Sequence, residues 1–331
     1  MKTTHTIRVV GAVGLVFVVP SLLSAQRLLP VGSGIQGLGV YDMIEYDGEL
    51  VIGGFYTRFN DHLRRNLQAW DGTQHNDLPG AFEAGPSRVL ALEVFEGDLI
   101  AAGRDNGAGL VTRWDGSSWT NMGASFTGNV EALTVFDGEL YAAGQDSAVS
   151  RWDGAQWEVV GVRFNAAVLA LEVHDGSLHA AGAFTAEITG TTDLRRLARW
   201  NGSAWTEVGV GLGGTVRDLL STAGGLVIAG DFTTDGDGAG SYPHWAIHDG
   251  SNLLSPGFPD NGEVDRIAAH PQEGFILGAS IGNGTRWVVG GQQREVPITV
   301  RAAVEFQGRV LVAGVGSTLS YVPVLSIGEL A

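Results

Sequence analysis

Two aspartates, Asp235 and Asp237, stand two residues apart among glycines in the segment DFTTDGDGAG (231–240). That spacing begins the alternate-residue oxygen pattern with which an EF-hand loop surrounds Ca²⁺. Counted from Asp235, the next alternate position is Ala239 and the twelfth is Ala246, where the loop needs a further ligand and a Glu. No metal site is therefore expected. Glu93 and Glu172 occupy one position of two similar runs, VLALEVF and VLALEVH. Two facing carboxylates are what glycoside hydrolysis requires. An arginine of the same repeat, Arg113 or Arg199, is the expected partner of each instead. His174 and His179 also fall in strand-like runs and are expected to be satisfied there rather than to ligate a metal. No HExxH or phosphate-loop motif occurs, the chain has no Cys, and Lys2 is its one lysine. Thiolate chemistry is excluded, as is Schiff-base chemistry once the N-terminus is removed. No catalytic residue and no cofactor is expected.

The remaining polar residues of interest lie in segments of variable length. They are Arg58, Asp61, Arg64, Arg104, Asp146, Arg163, Asp193, Arg195, Asp231 and His244. A mixed Arg/Asp rim is suited to a peptide or a polar saccharide, because the guanidinium fork grips carboxylates with two parallel hydrogen bonds. Whether such a rim exists depends on what brings these segments to one place.

The elements that could do so are repeated. RWDGAQWEVVG (151–161) has near-copies in RWDGSSWTNMG (113–123) and RWNGSAWTEVG (199–209). Each belongs to a longer unit that opens on a valine: Val40, Val89, Val130, Val168, Val216, Val264 and Val300. A period near forty residues with short β-like runs marks a repeat architecture. Within a unit, one run such as VLALEVF ends in an acidic-Gly pair. A second ends in small residues, as in DLIAAG. A third carries Trp, and after a further DG or NG a fourth carries Trp again. DG between apolar runs predicts a two-residue hairpin turn with both residues at positive φ. Each unit thus reads as four antiparallel strands in a meander.

One such sheet cannot bury both of its faces. Radial stacking hides them, so the expected fold is all-β, a seven-bladed β-propeller of four-stranded antiparallel blades. Its repeated tryptophans would fill the space between blades. The last unit lacks a DGxxW strand, while QRLLPVGSGI (26–35) resembles one. The N-terminal strand is therefore expected to pair into the last blade and close the ring, removing an exposed edge. In a meander the uniform DG turns gather on one face. The variable second-to-third-strand loops and the blade links gather on the other, where function is expected.

This pattern resembles Kelch-type, galactose-oxidase-like propellers. The residues that carry the likeness are Gly53-Gly54, Ala102-Gly103, Ala143-Gly144 and Ala181-Gly182 ending second strands, followed by the WDG and xxW elements. The units are similar also to those of Rax2-like extracellular propellers. The likeness covers roughly 26–331, and it implies a propeller fold. The copper chemistry of galactose oxidase would need a Cys that this chain lacks.

Residues 1–25 read as a secretory signal peptide, with Lys2 and Arg8 before an apolar run at 9–23 and Ser24-Ala25 at the cleavage position. Residues 26–331 are then a single propeller domain, secreted or periplasmic, with no membrane insertion after cleavage. The net charge of −16 disfavours nucleic acid as a partner. The expected function is non-enzymatic binding, by a monomer, of a protein or carbohydrate ligand. The alternative is an extracellular hydrolase or lyase with its active site at the central mouth.

Overall fold

The computed structural model describes residues 29–30, 35–59, 62–63, 65–83, 86–123, 126–190, 192–255, 263–270, 274–279, 285–289, 292–296, 299–307, 309–315 and 323–326. All regular elements among them are strands. The valine-opened runs become the first strands of seven antiparallel units: Ile35–Tyr46, Arg88–Phe95, Val130–Phe136, Val168–His174, Val216–Thr222, Val264–His270 and Thr299–Phe306. Among the described residues, six units are four-stranded meander sheets, the first with a short added strand and the last completed from the N-terminal end of the chain; the sixth unit consists of two hairpins. Each first strand packs beside the first strand of the next unit, and that of the seventh packs on that of the first, so the ring closes around a central channel. This is a seven-bladed propeller.

Closure uses the two ends of the chain. Leu29–Pro30 pairs with Pro323–Ser326, so the N-terminal segment supplies the outermost strand of the seventh blade. The seam is apolar. Val40, Met43, Leu50, Ile52 and Trp70 of the first blade share one buried cluster with Ala302, Phe306, Leu311 and Ala313 of the seventh.

The repeated tryptophans occupy two environments. Trp114 and Trp119, Trp152 and Trp157, and Trp200 and Trp205 face one another across the outer hairpins, each pair with ring centroids 5.3 Å apart. The second Trp reaches toward the preceding blade: Trp157 Nε1 donates to Met122 O at 2.8 Å and Trp205 Nε1 to Val160 O at 2.9 Å. Trp205 is 1% exposed, packed with Phe164, Tyr141 and Leu171. The repeated Trp therefore serves blade-to-blade packing, and at Trp157 and Trp205 the N–H finds the partner a buried indole needs, whereas the buried Trp119 Nε1 makes no hydrogen bond.

The two kinds of DG differ. Asp47-Gly48, Asp137-Gly138 and Asp175-Gly176, which join first and second strands, have both residues at positive φ, as a two-residue hairpin requires. The WDG elements do not. Trp114 pairs with Trp119, which leaves a four-residue loop in which only Gly116 has positive φ. Asp115 Oδ1 accepts from the N–H groups of Ser117 and Ser118, each at 2.8 Å. Asp71, Asp153, Asn201 and Asp249 do the same in their blades. The outer Asp is thus the acceptor that holds the loop, not half of a tight turn. These backbone bonds hold the exposed Asp115 carboxyl down at about 2.

Candidate functional site

Every blade carries a β-bulge at one place in its first strand. The pairing skips the residue after the opening valine: Tyr41, Leu90, Glu131, Leu169, Arg217, Asp265 and Arg301. A bulge re-aims one side chain. Here all seven side chains line the mouth of the central channel, together with Arg88, Asn129 and Arg266, around a cavity of about 270 Å³. The glycine ending the second strand makes the bulge possible. It lies opposite the valine, and a Cβ at Gly144 would overlap the carbonyl oxygen of Asn129. Inner strands begin on the side of the blade links, so this mouth opens on the variable-loop face.

Below the mouth lies a second cavity of about 250 Å³ lined by first-strand residues of all seven blades. Two aspartates act there as latches. Asp42 accepts from the N–H of Met43 at 2.8 Å and from Leu92 of the next blade at 2.7 Å. Asp218 accepts from Leu219 at 3.0 Å and from Ile267 of the next blade at 2.7 Å. Both sit two residues after their valines and grip equivalent positions. Glu172 likewise accepts from Ser221 of the next blade at 3.2 Å. Burial pushes the Asp42 carboxyl up to about 7, against the pull of its backbone bonds and of Arg266. Glu172 is pushed to about 7 by the same cause, and Asp218 is raised by burial, with Arg266 opposing. Acids that titrate near neutrality can transfer protons. In this channel their oxygens are engaged by the strand edges of neighbouring blades.

Neither glutamate has the arginine partner expected from sequence. Glu93 accepts from its own neighbour, Val94 N, at 2.9 Å, and its carboxyl is raised by burial. Arg113 pairs instead with Asp98 at 2.5 Å and Glu96 at 3.1 Å, both beside the inner hairpin turn. His174 Nδ1 meets Ser221 Oγ at 2.9 Å and His179 Nδ1 meets Ser177 O at 3.1 Å. Burial pulls the His179 ring down to about 4. Asp235 accepts from the N–H groups of Ala239 and Gly240, both at 2.8 Å, and Asp237 pairs with Arg195 at 2.6 Å, so this loop spends its carboxylates on itself. Among the described residues no group of three His, Asp or Glu is arranged to hold a metal.

Most of the polar residues singled out on the loop face brace one another. Arg195 lies among Asp193, Glu207 and Asp237. Arg163 donates to Asp146 O at 2.7 Å, and burial raises the Asp146 carboxyl. Asp231 forms a forked pair with Arg217 and so reaches the mouth. Arg58 is exposed at the end of the second strand of blade one, and Arg104 is half-buried at the end of that of blade two. His244 is held at positive φ. Asp61 and Arg64 lie outside the described residues. The mouth residues Tyr41, Arg88, Glu131, Asp265 and Arg301 were missed. For all of these but Arg88 the signal was present: directly after an unvarying valine, the seven units carry Tyr, Leu, Glu, Leu, Arg, Asp and Arg.

No protein-family model matches the chain, and no curated protein matches it. Solved structures do. The chain superposes on the WD40 β-propeller domain of Doa1 with TM-score 0.60 at 14% identity, over 92% of this chain and 96% of that one. This chain is a β-propeller. It superposes on YCF48 bound to a D1 peptide with TM-score 0.57 at 14% identity, over 94% and 98% of the two chains. On the extracellular domain of the putative one component system BT4673 from B. thetaiotaomicron the TM-score is 0.65 at 10% identity, over 91% of this propeller. The propeller spans 40% of that protein's length. At these identities the likeness is one of fold.

Proposed function

We propose that the chain is an exported, non-enzymatic interaction module, a Kelch-like propeller that binds a protein or carbohydrate through its variable-loop face. The observation that carries this reading is the mouth itself. Seven bulges aim side chains of five different types, Tyr, Leu, Glu, Arg and Asp, into one cavity, while the opposite face repeats the same inner and outer turn chemistry from blade to blade. Repeat proteins concentrate recognition where their units differ. A leader at 1–25 followed by a domain at 26–331 supports action outside the cytoplasm, secreted or periplasmic, with no membrane insertion after cleavage. That one neighbour is an extracellular domain and another holds a peptide fits the same reading. The net charge of −16 disfavours nucleic acid. The chain is proposed to act as a monomer, with Arg58, Asp61, Arg64, Arg104 and Asp231 contributing to the rim.

Peptide and glycan arrays probed with the purified chain test this. Saturable binding is expected, weakened by Arg58→Ala and Arg104→Ala at unchanged melting temperature and untouched by Gln156→Ala on the opposite face. Binding that responds equally to Gln156→Ala, or silent arrays, would sink the proposal. The channel acids Asp42 and Glu172, pushed to about 7, favour a second reading as a hydrolase or lyase. It requires turnover of an array hit that is abolished by Glu172→Gln.

A further inference from the structure

Among the described residues, four arginines line the mouth, Arg88, Arg217, Arg266 and Arg301, against two carboxylates, Glu131 and Asp265. In a chain of net charge −16 with only 20 basic residues, this is a local reversal of sign. Two of the arginines are engaged. Arg217 forks onto Asp231, with Nη2 to Oδ2 at 2.9 Å, and has Asp265 at 3.6 Å and Glu263 at 3.7 Å. Arg266 lies 3.9 Å from Asp218, deeper in the channel.

The other two are under-used. The Arg301 guanidinium lies over the Tyr41 ring, 5.2 Å from its centroid, and comes no closer than 4.0 Å to Asp265. Its Nε is buried and makes no hydrogen bond. A buried donor left unmade is costly, and guanidinium has donors only, so what it lacks is an acceptor. Arg88 makes one long contact, Nη2 to Asn129 Oδ1 at 3.4 Å, and that acceptor is neutral. The Asn129 amide nitrogen is already committed to Glu131 at 2.8 Å. Leu90 and Leu169 supply apolar wall between these polar groups.

We propose that the mouth accepts one carboxylate of a bound peptide, held by Arg301 and Arg88, with Leu90 and Leu169 against the aliphatic part that carries it. This rests on the reading of the loop face as an interaction surface and names the chemistry recognised there. A monoanion fits better than a phosphate dianion, because Glu131 and Asp265 share the cavity and repel additional negative charge. A sugar ring fits less well, since stacking needs an open aromatic face. Tyr41 is the one aromatic residue in the lining among the described residues, and Arg301 covers it.

The test is a titration of the full chain followed by the arginine Nε–H resonances, assigned with Arg301→Gln and Arg88→Gln. The probes are acetyl-Ala-Glu-Ala-amide, acetyl-Ala-Gln-Ala-amide, acetyl-Ala-Ala-Ala with a free C-terminus, and inorganic phosphate. The Arg301 and Arg88 signals are expected to shift saturably with a carboxylate peptide and not with the Gln peptide. Which of the two carboxylate peptides binds tells an acidic side chain from a chain terminus. Arg301→Gln should weaken that binding at least tenfold at unchanged melting temperature, with Arg301→Lys restoring part of it. Should Arg301→Gln fail to fold, Arg88→Gln carries the comparison. Equal response to the Gln peptide, tighter binding of phosphate, or no response to any probe overturns the inference. Array binding that depends on the loop face but ignores Arg301→Gln overturns it too and leaves the interaction module standing. Silent arrays together with silent titrations remove both.

Discussion

The Asp42 carboxylate accepts the backbone N–H of Leu92, 50 residues along the chain and one blade away, at 2.7 Å. Asp218 and Ile267 repeat the contact 49 residues apart at 2.7 Å. An inner strand in a propeller has an unpaired edge facing the channel, and these carboxylates cover part of it with acceptors that span the seam between blades.

The latch makes stability depend on pH. Burial raises the Asp42 and Glu172 carboxyls to about 7, so the folded chain binds these protons more tightly than the unfolded one. Their contribution is fully present below the ordinary carboxylate range and is lost as pH rises through about 7. The double variant Asp42→Asn with Glu172→Gln removes the titration. Its melting temperature relative to the parent should rise between pH 5 and pH 8, by roughly 2 °C or more for a domain of this size. A difference that stays flat across that range would show that these acids do not titrate there.

The two tryptophans of an outer hairpin should not be equivalent. Trp205 is 1% exposed and bonded to Val160 O, whereas Trp200 is only partly buried at the edge of the same cluster. Trp205→Ala should cost about 3–5 kcal/mol in chemical denaturation, and Trp200→Ala distinctly less. Trp205→Phe should lose about 1 kcal/mol through the missing N–H donor. Equal losses at positions 200 and 205 would contradict the packing described.

Ring closure predicts a global effect of a local deletion. Removing residues 26–34 takes away the partner of Pro323–Ser326 and exposes the edge of the seventh blade. A lower melting temperature and a tendency to self-associate are expected. A truncated chain that melts with the intact one would mean that the first-to-seventh blade cluster around Trp70 and Phe306 is a sufficient seam.

Much of the architecture was legible because the repeat writes it seven times. The valine register, the inner DG turns and the paired tryptophans are local patterns, and each appears where alternation and turn chemistry put it. The WDG element was half legible: its glycine takes positive φ, but the role of Asp115 depends on loop length, which the pairing of Trp114 with Trp119 sets. The loop-face candidates were chosen by residue type, and type does not reveal who neighbours whom. Arg195 meets Asp237, 42 residues on, and is a brace for its loops. Arg301 looked like one strand residue among many until a bulge turned it into the mouth beside Tyr41.

The sequence by itself determined the blade, because a period-two pattern closed by DG turns can bury its apolar faces only against copies of itself. Only the tertiary structure decided the site. A ring brings residues forty and more positions apart to one axis, and a one-residue bulge reverses which way a side chain faces. Neither the convergence nor the reversal is encoded within reach of any local pattern.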